Sequence, residues 1–193
     1  MKPLVKIMYK DQQAADASDL GLHLLVSRCV LERLGWKEER WYELRRHLIG
    51  QAKKGDAKLL AACQNANEAR NFRHVFAVFD DDEVRTIKPL ALSPNACKVQ
   101  VRAAILATSP YRNDLGVVLL GQNMESVVAA VQRCKCAAVP EKKLKLPERD
   151  AVLASIAWRE EDAPRRACVL QAVPSLEYLV ARLAKIIGAG VAA

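Results

Sequence analysis

Val75-Phe76-Ala77-Val78-Phe79 is an unbroken apolar run, and it stops abruptly at Asp80-Asp81-Asp82. A short run without polar alternation, made of β-branched and aromatic side chains, predicts a strand buried on both faces. Leu4-Val5-Lys6-Ile7-Met8-Tyr9 and Leu115-Gly116-Val117-Val118-Leu119-Leu120 have the same character. Between these runs the apolar spacing changes to three and four, so the strands alternate with helices. Parallel strands need crossover connections, which helices supply. The chain is therefore read as α/β: a mostly parallel central sheet flanked by helices on both faces, with a helical C-terminal portion.

The helices are placed by periodicity and punctuation. Leu22, Leu25, Val26, Cys29, Val30 and Leu34 mark one face of a first helix, with Asp16, Ser18 or Asp19 to cap it and Gly35 to close it. Residues 38–67 read as two helices broken near Gly55. Residues 96–107 suit a helix with Val99, Ala103 and Leu106 inward, and Asn123 caps one bearing Met124, Val127, Val128 and Val131. Residues 148–158 and 163–172 read as helical. Pro174-Ser175 opens a last helix with Leu176, Leu179, Val180, Leu183, Ile186 and Ile187 inward and Gly188 past its end. The whole is expected to be a single domain, residues 1–193, with a sheet core over 1–132 and a basic connection plus C-terminal helices over 133–193.

The apolar runs are far below the roughly 20 residues of a membrane span, and the N-terminus reads as a strand instead of an export signal. A cytoplasmic location without membrane contact is the expectation. It carries with it reduced thiols for the six cysteines, Cys29, Cys63, Cys97, Cys134, Cys136 and Cys168. Cys134-Lys135-Cys136 lacks zinc-knuckle spacing. Thirty basic residues against 22 acidic ones leave a net charge of +8. A domain this basic attracts polyanions, nucleic acid first among them, although net charge alone specifies no partner.

In parallel α/β sheets functional groups collect at the carboxyl ends of the strands. Here those ends carry Lys10-Asp11, Asp80-Asp81-Asp82 and Asn123-Met124-Glu125. Asp80 and Asp82, two apart in an extended backbone, are a candidate pair for Mg²⁺, a hard ion that takes one or two protein carboxylates and fills its shell with water and phosphate oxygens. The plain alternative is a turn bonded by its own aspartates. Asp81 and Glu83 are further ligands or solvated charge. Asp11 and Glu125 are candidate catalytic acids, and for Glu125 the helix dipole offers a capping role instead. Lys10, Lys142, Lys143, Lys145 and Arg149 are candidate phosphate contacts. Few aromatic residues leave base stacking poorly supported. The absence of Gly-x-Gly-x-x-Gly, P-loop and Gly-x-Ser-x-Gly motifs disfavours dinucleotide-fold dehydrogenases, P-loop NTPases and ordinary esterases.

This layout resembles the Toprim-like family, the catalytic fold of topoisomerases, primases and the nuclease part of OLD-type bacterial defence proteins. Asp80-Asp81-Asp82 is similar to the family's Asp-x-Asp element. Asn123-Met124-Glu125-Ser126 is similar to an Asn-hydrophobic-Glu element of small stand-alone members, and Val173-Pro174-Ser175-Leu176 with its helix is similar to their C-terminal element. The resemblance implies phosphodiester cleavage or related nucleic-acid processing with Mg²⁺ or Mn²⁺, a DNA or RNA substrate, and an ATPase or other protein subunit as partner. The chain departs from the family pattern at the first strand end, where Tyr9-Lys10-Asp11 stands in place of the expected Glu. The alternative is a catalytically degenerate Toprim-like subunit for nucleic-acid binding or assembly. A receiver-like signalling domain is a further rival, with Asp80 as its acceptor but no late-strand Lys.

Overall fold

The computed structural model describes residues 4–10, 20–90, 92–93, 95–121, 124–135 and 144–191. They form two compact units. The first comprises residues 1–17 and 46–123, and the second residues 18–45 and 124–193. The segment carrying the first helix thus groups with the C-terminal helices.

Four strands build the first unit: β1 (Val5–Lys10), β2 (Leu48–Lys53), β3 (His74–Asp80) and β4 (Leu115–Leu120). They pair in the order β2-β1-β3-β4, all parallel, with Tyr9 opposite Val78 and Phe79 opposite Leu119. With helices around this sheet, the α/β class is as expected. Side chains two apart share a face. Met8, Val75, Ala77, Phe79, Val117 and Leu119 form one core with Leu59, Leu60 and Cys63 of α3 (Asp56–Cys63) and Val101 and Ile105 of α5 (Lys98–Thr108). Ile7, Tyr9, Phe76, Val78, Val118 and Leu120 on the opposite parity are buried too, which is why the strands read as continuous apolar runs. Gly116 stands opposite Phe76, and a Cβ there would lie 2.4 Å from the Phe76 ring.

The sequence reading of residues 38–67 as two helices is corrected. α2 covers Trp41–His47, and the chain then enters β2 before α3 begins. Leu-Ile-Gly-Gln-Ala-Lys has little strand preference of its own. As an edge strand it forms because β1 offers it a full parallel register, from Val5↔Leu48 to Lys10↔Lys53. The inward face of α5 is also corrected: Val101 and Ile105 are buried, whereas Val99 is 71% exposed.

The second unit is helical: α1 (Gly21–Arg33), α6 (Met124–Arg133), α7 (Leu146–Ser155), α8 (Ala163–Ala172) and α9 (Pro174–Val191). The α4 element of the first unit is a single turn, Asp81–Val84. α1 packs against both α7 and α9 and is buried all round from Gly21 to Leu31, not on one stripe. A Cβ on Gly21 would lie 2.1 Å from the Asp150 carbonyl oxygen, so only glycine permits this approach to α7. At the other end Gly35, at φ +65°, donates to the Glu32 carbonyl while Trp36 donates to that of Leu31. That closure is the expected glycine cap. α9 does not stop before Gly188 but runs on through it to Val191.

Arg166, fully buried, donates to the Glu32 carboxylate and to the carbonyls of Ile156 (2.6 Å) and Arg159 (2.7 Å). This neutralises the charge locally and ties α1 to α8 and to the segment after α7. Cys134 and Cys168 form a disulfide, correcting the reduced-thiol expectation for these two. Cys29, Cys63 and Cys97 are free thiols, and Cys136 lies outside the described residues. Among the described residues no single helix is long and apolar enough to cross a membrane.

Candidate strand-end site of the first unit

Four elements of the first unit bring charge together beside the carboxyl ends of β1 and β3. Lys10 is the last residue of β1 and Asp80 the last of β3. Asp56 opens α3, placed by the tight turn at Gly55, whose φ of +88° is open to glycine. Glu83 lies in α4. The Lys10 ammonium donates to Asp80 Oδ2 at 2.9 Å and to the Glu83 carboxylate, and it stands 3.1 Å from Asp56 Oδ2. One cation therefore faces three carboxylates.

Burial sets much of the electrostatics. It pushes the Asp56 carboxyl up to about 6, against the opposing pull of the Lys10 charge and with further upward pressure from Asp80 and Glu83. It raises Asp80 as well, again opposed by Lys10. The hydrogen bond from Lys10 holds the more exposed Glu83 below its usual range. For Lys10 burial acts downward but is outweighed by the hydrogen bonds to Glu83 and Asp80 and by the charges of Asp80 and Asp56, so the ammonium holds its proton well above the ordinary lysine value. Neither carboxylate oxygen of buried Asp56 has an aligned hydrogen bond, even though Oδ2 lies within ion-pair distance of Lys10.

The proposed pairing of Asp80 with Asp82 rested on an extended backbone. The strand ends at Asp80 and α4 begins at Asp81, so successive side chains turn by about 100° along a helix instead of alternating. Asp82 is exposed and accepts a bond from the Glu83 N–H at 3.1 Å. Asp81 is taken by Arg85 at 2.7 Å, with Lys98 at 3.5 Å. Among the described residues no group of three or more His, Cys, Asp or Glu side chains is arranged to hold a metal ion. The meeting point of the Asp56, Asp80 and Glu83 carboxylates is taken by the Lys10 ammonium.

Asp11, Lys142 and Lys143 lie outside the described residues. Glu125 belongs to the second unit, in the first turn of α6, and pairs with Arg149 at 2.8 Å. Lys145 is exposed just before α7, where its backbone N–H is capped by Glu148 at 2.7 Å. The structure thus joins Lys10 to Asp80 and joins Glu125 to Arg149. Asp56 was missed from sequence, because finding it requires seeing Leu48–Lys53 as a strand. Once that is seen, Gly55-Asp56 is another acid just past a strand end.

No protein-family model, no curated protein and no solved structure matches the chain.

Proposed function

We propose that the chain is a Toprim-like, cytoplasmic nucleic-acid-handling subunit that binds the phosphodiester backbone, and that its strand-end acid centre holds the Lys10 ammonium where catalytic relatives hold metal. The observation that carries this reading is Lys10 Nζ itself, 2.9 Å from Asp80 and 3.1 Å from Asp56. The resemblance leads one to expect a glutamate at that strand end. A lysine there reverses the charge, and the carboxylates that would hold Mg²⁺ are turned to an internal cation. The net charge of +8 supplies the attraction to polyanions, with Lys142, Lys143, Lys145 and Arg149 as backbone contacts. An ATPase or other protein subunit, within a bacterial defence system, is the partner that the resemblance implies.

A second reading, Mg²⁺- or Mn²⁺-dependent cleavage, is favoured by two observations. The cluster stays net negative after Lys10 is counted, and both Asp56 oxygens lack aligned hydrogen bonds. In that reading Lys10 swings out to a phosphate, Asp80 and Asp82 hold the ion, and Asp11 supplies the further acid.

Plasmid, single-stranded DNA and RNA, incubated with Mg²⁺ or Mn²⁺ and with native protein, Asp80→Ala/Asp82→Ala or Lys10→Met, separate the two. Binding without cleavage, unchanged by the aspartate substitutions, is expected. Cleavage lost in the double variant establishes the enzyme reading in its place, and absence of binding to any nucleic acid sinks both.

A further inference from the structure

The disulfide of the second unit carries an inference independent of the nucleic-acid reading. Cys134 follows the last turn of α6, and Cys168 stands in α8, with Cα atoms 5.9 Å apart. Cys168 is exposed and Cys134 half-buried, so a dissolved thiol reaches the bond. Cys29 and Cys63, in contrast, are buried, and burial pushes both thiols up to about 12, out of reach of exchange at neutral pH.

We propose that Cys134 and Cys168 form a reversible redox site, closed by low-molecular-weight disulfides and reopened by the corresponding thiols. In the closing direction the Cys168 thiolate attacks one sulfur of the small disulfide and expels a thiolate, leaving a mixed disulfide on Cys168. The Cys134 thiolate then attacks the Cys168 sulfur and expels the second thiolate. Two protein thiols are oxidised, one small disulfide is reduced to two thiols, and these take up the two protons.

The geometry gives this site a consequence short of unfolding. The bond ties both ends of the segment that contains α7, Lys145 and Arg149. α6 also packs on α7 and α8 without it, and the Glu125–Arg149 ion pair joins α6 to α7. Opening the bond removes a tether and leaves the packing in place. In a compartment held reducing, bonds of this kind are regulatory more often than structural.

The test uses the full chain equilibrated in glutathione buffers from reducing to oxidising, quenched, alkylated and mapped by mass spectrometry. Cys134 and Cys168 are expected to become protected together, with one midpoint, while Cys29, Cys63 and Cys97 stay unpaired. The oxidised protein melts several degrees above the reduced one, and Cys168→Ser melts at the reduced temperature in both buffers. Pairing of either cysteine with Cys136 or Cys97, free alkylation of both at every poise, or a bond that no glutathione ratio opens would overturn the proposal. The alkylation map of the native chain decides even where the variant folds poorly.

Discussion

Lys10 is the residue on which the first unit's chemistry turns. Replacing it by Met leaves buried Asp56 and Asp80 facing each other without a cation, and removing one partner of such a cluster costs about 3 kcal/mol at neutral pH. The loss shrinks as the carboxyls protonate in acid, which urea unfolding at pH 5 and pH 7 resolves. The same variant is expected to gain a thermal shift from millimolar Mg²⁺ that the native protein lacks. Asp56 has its own signature. Its folded pKa of about 6 exceeds the ordinary 3.8, so the folded state binds the proton more tightly. That contribution is fully present below about 3.8 and is lost as the pH rises through about 6. Asp56→Asn should therefore flatten the fall in stability across this window, and identical pH profiles for variant and native protein would refute the assignment. Lys10 and Asp80 were both legible as strand-end residues. That they bind each other was not, because sequence separation says nothing about which strand ends adjoin.

Among the elements, α1 shows how packing overrides periodicity. Its three-and-four spacing predicts one apolar stripe, yet Gly21 through Leu31 are all buried, including His23, Ser27 and Arg28. A helix enclosed by neighbours buries its polar residues as well, and buried Arg28 joins half-buried Glu32 in an ion-pair group with Glu38 and Arg166. Arg166→Met removes the buried guanidinium that α1 and α8 share and is expected to cost about 2–3 kcal/mol in chemical denaturation, since the Ile156 and Arg159 carbonyls lose their donor while half-buried Glu32 keeps Arg28 as a partner. Gly21→Ala is expected to cost about 2 kcal/mol or more by the same measurement, because the added methyl meets the backbone of α7 at Asp150 and Ala154 and neither can move alone. β2 escaped the sequence reading for the converse reason. A glycine-, glutamine- and lysine-bearing edge strand has no local signal, and only the open edge of β1 makes it extended. α5 was placed correctly and turned wrongly, since Val99 and Val101 are equally apolar and only the sheet decides which of them faces inward.

At the scale of the whole chain, charge is the property that composition alone supplies. If the excess of eight positive charges engages a phosphate backbone, affinity should fall by roughly tenfold or more between 50 and 200 mM salt, measured by fluorescence anisotropy on a labelled oligonucleotide. An affinity indifferent to salt would place the basic residues elsewhere than at the nucleic acid. The sequence by itself determined the α/β class, β1, β3 and β4, and the glycine closure of α1, because each rests on a local property: an apolar run, a helical period, a backbone that needs φ above zero. The tertiary structure alone decided that the chain divides as 1–17 with 46–123 and 18–45 with 124–193, that Leu48–Lys53 is a strand, that Cys134 finds Cys168, and that Lys10 sits among Asp56, Asp80 and Glu83. Each of these joins residues far apart in the chain. Which of them meet is settled by burial and pairing summed over whole elements, and no local window of sequence contains that sum.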